Sequence, residues 1–125
     1  MIDFENSTFS KLSLVNNVVF NDTVSPLLTA NEKIVYTYQG IRDGVVFTSH
    51  RIIAINVQGV TGKKKAITTL PYIRIQAYAM ETAGVADIDS ELTLWFSGLG
   101  KVKFEFTRGS SVAKVYNLIT NRIIR

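Results

Sequence analysis

Ile41-Arg42-Asp43-Gly44-Val45-Val46-Phe47-Thr48-Ser49-His50-Arg51-Ile52-Ile53-Ala54-Ile55-Asn56-Val57 decides the fold, because its apolar residues recur with a period of two between closely spaced turn residues. Val45, Phe47 and Ser49 alternate with Val46 and Thr48, and Arg51, Ile53, Ile55 and Val57 alternate with Ile52, Ala54 and Asn56. Asp43-Gly44 is a pair favoured in tight hairpins, where positive φ angles are needed. The same rhythm continues as far as Ser97-Gly98. It predicts short, mostly antiparallel strands.

Working outward, Ile34, Tyr36 and Tyr38 share one face of a strand before the hairpin. After it, Gln58-Gly59-Val60-Thr61-Gly62-Lys63 reads as a glycine-punctuated loop, and Lys65 to Leu70 as a strand stopped by Pro71. Ile73, Ile75, Ala77 and Ala79 are expected on the inward face of a fifth strand, and Leu92, Leu94 and Phe96 on that of a sixth. Val102, Phe104 and Phe106 line a seventh, whose opposite face, Lys101, Lys103, Glu105 and Thr107, is polar. Both chain ends read differently. Phe4, Thr8, Leu12, Val15 and Val19 recur at roughly helical spacing, which predicts an N-terminal helix within residues 3–20, followed by a connector at 21–31. After Gly109-Ser110, an expected N-cap, Val112, Val115, Tyr116, Ile119 and Ile123 fall on one helical stripe.

The prediction is a mainly β domain: seven strands forming a barrel or two packed sheets, one open end plugged by the C-terminal helix, plus an extra N-terminal helix. At 125 residues the chain is long enough for one core and too short for two. A single domain over residues 1–125 is expected, with N-terminal helix and connector at 1–30, strands at 31–109 and the capping helix at 110–125. Hydrophobic residues make up 46% and charged residues 19%, which excludes disorder. There is no cysteine, so disulfides, thiolate metal sites and cysteine nucleophiles are excluded. The acidic start, Met1-Ile2-Asp3-Phe4-Glu5, does not read as a secretion signal, and a cytoplasmic protein is expected. The net charge of +4 comes from mostly scattered basic residues and implies no nucleic acid.

Few residue patterns suggest chemistry. Gly59-Val60-Thr61-Gly62-Lys63-Lys64 resembles a phosphate loop only superficially: its glycines are too close, and Lys64 stands where a serine or threonine should meet magnesium. Lys63-Lys64-Lys65 is the one dense basic cluster; it suits either a phosphate or carboxylate, or a solvated hairpin end that blunts an edge strand. Asp87, Asp89 and Glu91 alternate like the first ligands of a calcium loop, but Leu92 occupies the required glycine position. His50 follows Ser49, and neighbours on a strand point to opposite faces, so the two are not expected to pair. Tyr78, Met80 and Trp95 lie opposite the expected core faces, to be covered by the N-terminal helix or by another subunit. No catalytic residue, metal ligand set or cofactor site is expected.

Ile41-Arg42-Asp43, Phe47-Thr48, Arg51-Ile52-Ile53, Gln58 to Lys64, Pro71-Tyr72, Glu81-Thr82-Ala83-Gly84, Asp89-Ser90-Glu91-Leu92 and Trp95, in that order, closely resemble the bacterial pleckstrin-homology domain family over about residues 30–125. The resemblance implies a seven-stranded, partly open barrel capped by the C-terminal helix, no enzymatic activity, and assembly into homo-oligomeric rings, expected as pentamers. Eukaryotic pleckstrin-homology domains often bind phosphoinositides through several basic residues around the first hairpin, where this chain offers Arg42 alone. The expected function is therefore a non-catalytic scaffold acting as a homo-oligomeric ring in protein–protein interaction, with Tyr78, Met80 and Trp95 at the subunit interface and a partner protein still to be identified. The alternative is a peripheral membrane or anionic-ligand-binding domain using Lys63, Lys64, Lys65 and Arg42.

Overall fold

The computed structural model describes residues 8–82, 90–107 and 109–124. Its elements are β1 (Thr8–Val15), a one-turn helix α1 (Asn21–Val24) continued by a 3-10 turn (Ser25–Leu27), β2 (Ile34–Gln39), β3 (Gly44–Thr48), β4 (Arg51–Gln58) and β5 (Lys64–Pro71). A 3-10 turn (Tyr72–Arg74) leads to β6 (Ile75–Glu81), β7 (Ser90–Phe96), β8 (Gly100–Phe106) and the helix α2 (Val112–Ile123). The strands form one open sheet in the order β5-β4-β3-β2-β1-β8-β7-β6. The seven expected strands and the C-terminal helix are present. The eighth strand and the open sheet correct the seven-stranded barrel.

The added strand is β1, which corrects the expected N-terminal helix; residues 3–7 of that expectation lie outside the described residues. β1 pairs antiparallel with β2 (Leu14 opposite Tyr38) and parallel with β8 (Phe9 opposite Phe104), so the sheet is not wholly antiparallel. The register shifts between Phe9 and Leu12, where Lys11 takes a φ of 54°. Such a bulge inserts one residue into a period of two, so Phe9 and Leu12, three apart, both reach the core. That spacing also suits one face of a helix, which is how a strand came to read as one.

A second bulge, between Ile75 and Ala77, inverts the parity of β6. Ile75 is buried, but beyond the shift Tyr78 and Met80 lie opposite Leu94 and Leu92 and pack on the core, while Ala77 and Ala79 face outward. Ala77 and Ala79 are thus not core residues, and Tyr78 and Met80 do not lie on the outer face.

The main core gathers Tyr38, Phe47, Leu92, Leu94, Phe104 and Phe106 beneath Val112, Val115 and Ile119 of α2. The Tyr38 ring meets Phe47 and Phe106 edge-on, with centroids 5.7 and 4.9 Å apart. Its hydroxyl donates to the Ser110 carbonyl at 2.7 Å, so Ser110 anchors the start of α2 from inside while Ser111 takes the N-cap position. β3 and β4 are buried on both faces. Val46, Ile53 and Ile55 form a second cluster with Phe20 and Val24, which lie across the outer side of the sheet. Gly44 belongs to this contact: its φ is not left-handed, and a Cβ there would stand 2.3 Å from Phe20 Cε2. The glycine makes room for a ring and not for the positive φ expected of Asp43-Gly44.

Gly44→Ala should therefore displace Phe20 and destabilise the protein by about 1–3 kcal/mol. In Phe20→Ala the same substitution should cost much less, because the clashing ring is gone. Urea unfolding of the four proteins checks this, and equal costs in the two backgrounds would refute the contact.

Candidate functional site

The β2–β3 and β4–β5 hairpins bring Arg42 and the lysine cluster to one end of the sheet. Arg42 Nη2 donates to the Gly59 carbonyl at 2.5 Å, tying one hairpin to the other. Asp43 makes a second tie: Oδ1 accepts from the Val57 amide at 2.9 Å and Oδ2 from Asn56 Nδ2 at 3.4 Å. Lys63, Lys64 and Lys65 are exposed beyond these ties. A cleft of about 340 Å³ opens here between β1 (Phe9, Leu12), the turn Gly40–Asp43 and Val57. Arg42 and Asp43 both line it, and the three lysines do not. With a carboxylate in its wall, the cleft is not shaped by charge for an anion. The lysines stand outside it as a separate, exposed charge.

Trp95 occupies a different surface. It lies opposite Ala77 on one side and Lys101 on the other, is 38% exposed, and belongs to neither core. Tyr78 and Met80 are not beside it. The Tyr78 hydroxyl meets Thr120 Oγ1 at 2.6 Å and its ring lies tilted at 53° against Tyr116 of α2, at 5.0 Å between centroids. Of the three residues expected at a subunit interface, the fold leaves Trp95 alone on the outer face.

Ser49 and His50 do pair, which corrects the sequence expectation. Residues 49 and 50 form a bend between β3 and β4, so strand alternation does not apply to them. Ser49 Oγ accepts the Lys33 amide at 3.0 Å and shares a hydrogen bond with His50 Nδ1 at 2.7 Å, whose direction follows the imidazole tautomer. Among the described residues no carboxylate bonds the imidazole, so the third group of a hydrolytic triad is not in place. Nor is any group of three or more His, Asp or Glu side chains, among those residues, arranged to hold a metal ion. Asp87 and Asp89, the calcium-like positions, lie outside the described residues.

The strongest polar cluster escaped sequence reading. Glu32, 6% exposed, takes Arg51 Nε at 2.8 Å and Nη2 at 3.0 Å, the Thr48 hydroxyl at 2.5 Å and the Thr29 amide at 3.1 Å. Arg51 Nη2 also donates to the Leu27 carbonyl at 2.7 Å, which pins the segment carrying Phe20 and Val24 to β4. Burial alone would raise the Glu32 pKa. The bonds from Arg51, Thr48 and Thr29 and the Arg51 charge outweigh it and hold the carboxyl at about 2 instead of 4.5. Nothing in the spacing of Glu32 and Arg51 announces this pair, since the two meet only after β2, β3 and β4 have stacked.

The matches to known proteins follow this geometry. The family model for the bacterial PH domain matches residues 3–123. The chain belongs to the bacterial pleckstrin-homology domain family. The uncharacterized protein YjqA of Bacillus subtilis strain 168 is 31% identical over 118 residues, covering 93% of this chain and 94% of YjqA. A crystal structure of a DUF1696-family protein with a pleckstrin-homology domain from Shewanella loihica PV-4 superposes with a TM-score of 0.77 at 37% identity, over 90% of this chain and 97% of that one. A pleckstrin-homology domain from Shewanella amazonensis SB2B gives 0.67 at 38% identity, over 90% and 92%. This bacterial pleckstrin-homology domain has no helix, among the described residues, long and apolar enough to cross a membrane.

The Glu32 carboxyl binds its proton less tightly folded than unfolded. Its stabilising contribution is therefore complete above pH 4.5 and is lost as the pH falls toward 2. Glu32→Gln should flatten this acid limb of the stability curve. Arg51→Ala leaves the carboxylate buried without its counter-ion and should cost about 3 kcal/mol or more at neutral pH. Thermal melts from acid, near pH 2, to neutral pH check both effects.

Proposed function

We propose that this bacterial pleckstrin-homology domain is a non-catalytic scaffold that works as a homo-oligomeric ring, five subunits being the size the family resemblance implies. The observation that carries this reading is Trp95, the largest apolar side chain on the outer face of β6, β7 and β8. It stands beside the outward alanines of β6, Ala77 and Ala79, and next to a sheet edge with no partner strand among the described residues. A large aromatic residue bordered by alanines on its β6 side and by Lys101 on its β8 side suits burial by another chain, because such side chains supply most of the energy at interface centres.

The sheet also ends on two unlike edges. β5 presents Lys64 and Lys65, and β6 presents Ala77, Ala79 and Glu81. Unlike patches on one chain favour head-to-tail contact, which closes into a ring when the rotation between neighbours fits. A permanent interface of this kind needs about 1,200 Å² or more of buried surface.

Light scattering on a sizing column tests the reading. A ring of five has a mass of about 70 kDa, against 13.9 kDa for one chain. A mass near that of one chain at micromolar concentration would overturn the ring. Trp95→Asp should release folded monomers, since Trp95 lies outside both cores.

A further inference from the structure

α2 covers the core side of the sheet, and beside β2 it leaves a cleft of about 400 Å³ lined by Tyr36, Lys114, Asn117, Leu118 and Asn121. That volume lies in the ordinary range of ligand sites. Lys114, Asn117 and Asn121 are exposed and spaced three and four residues apart, so they form one stripe along the helix. At 1.5 Å per residue the stripe is about 10 Å long. Tyr36 and Leu118, half-buried and packed against the main core, form the apolar side of the cleft.

The polar groups of this cleft are not engaged by the fold. Among the described residues, the Asn117 and Asn121 amides and the Tyr36 hydroxyl have no hydrogen-bond partner, and Lys114 has no ion pair. Asparagine is a weaker helix former than alanine, because its side chain competes for backbone groups in non-helical conformations. α2 therefore carries two residues, one turn apart, whose cost to the helix no contact within the described chain offsets. Among the described residues no acid lines the cleft, so the Lys114 ammonium faces no carboxylate there.

We propose that the α2–β2 cleft binds an extended peptide segment of about three residues that carries an aspartate or glutamate. An extended chain advances about 3.3 Å per residue, so three residues match the length of the stripe. A side-chain amide offers both a donor and an acceptor, the complement of a peptide group, and Asn117 and Asn121 present two of them. Lys114 supplies the charge for the carboxylate. β2 lies between β1 and β3, so its backbone is already paired and cannot read the peptide as an added strand. Recognition of the main chain falls to the two amides. A sugar would stack on a free aromatic face, whereas Tyr36 packs against the core. Trp95 lies on the opposite face of the sheet, so the site stands for one chain or for a ring.

A library of random heptapeptides displayed on phage, panned against the immobilised full chain, supplies the probe: a fluorescein-labelled peptide of the enriched consensus, read by fluorescence polarisation. The consensus should contain an acidic position. Asn117→Ala with Asn121→Ala should weaken binding about tenfold or more, since two hydrogen-bonding groups are lost. Lys114→Glu should weaken it by a similar factor, because a like charge then meets the carboxylate. The asparagine variant should also melt a few degrees above the wild type, because alanine favours the helix. That rise shows the variant folded and separates lost binding from lost structure. Trp95→Asp should keep the wild-type affinity whatever it does to the mass on a sizing column, so failure of the ring and failure of the cleft are distinct results. The absence of an enriched consensus, a consensus without an acid, or unchanged binding by the asparagine variant would overturn the proposal. So would a lower melting temperature of that variant, which would show the amides serving the fold.

Discussion

The backbone of β1 hydrogen-bonds β2 on one side and β8 on the other, and this insertion joins two half-sheets, β2–β5 and β6–β8, into one. Without it, β2 and β8 would each carry a row of unpaired amides and carbonyls facing a buried gap, and unmet backbone groups there are costly. The bulge at Lys11 lets one short strand serve both neighbours and still send Phe9 and Leu12 into the core, where Phe9 stacks on Phe104 with centroids 5.4 Å apart. The chain then continues from β1 across the outside of the sheet. Phe20 and Val24 thus reach the outer face of β3 and β4, and the buried Glu32–Arg51 pair fastens the far end of that crossing.

The distribution of buried charge follows from this path. A carboxylate as enclosed as Glu32 is tolerated because four donors converge on it, two of them from one guanidinium. The same arginine also donates to Leu27 and Thr69, so it fixes the position of the crossing segment as well as neutralising a charge. Tyr38 and Tyr72 work similarly without charge. Burial pushes both phenols well above their ordinary range, and each donates to a backbone carbonyl, Ser110 and Thr48 respectively, at 2.7 Å.

The legible parts of the sequence were those where local pattern and tertiary structure agree. Val102, Phe104 and Phe106 alternate without interruption, and α2 carries an apolar stripe, so both were readable in place, as was the strand order from Ile34 to Pro71. Three failures sit where a bulge or bend breaks the period, and Ile73, expected on an inward strand face, lies exposed in the 3-10 turn before β6. The bulge between Phe9 and Leu12 gave a strand the spacing of a helix, and the bulge between Ile75 and Ala77 exchanged the faces of Tyr78 and Met80 with those of Ala77 and Ala79. The bend at Ser49-His50 set two neighbours side by side that a strand would have separated. Bulges and bends depend on strands distant in sequence, which no local window contains. The outward placement of Trp95 and the exposure of the lysines were legible from local pattern; the Glu32–Arg51 pair, built by bringing three strands together, was not.

The surface residues divide the molecule by the work they do not perform. Trp95, Ile41 and Val60 contribute to neither core, and each is a side chain whose full burial would be worth on the order of 2 kcal/mol or more. Single exposed apolar residues are ordinary on any surface. These are set apart by position: Trp95 next to an edge strand that has no outer partner among the described residues, and the two aliphatic residues on hairpin tips, Ile41 in β2–β3 and Val60 in β4–β5, tied together by the Arg42–Gly59 bond. The scaffold makes both placements possible at little cost to itself. The tips project beyond the last ladder pairs of their hairpins, and among the described residues nothing on the outer face of β7 corresponds to the Phe20 segment that seals β3 and β4. A fold whose stability resides in β1, the buried pair and the α2 core leaves these surfaces free to meet other molecules.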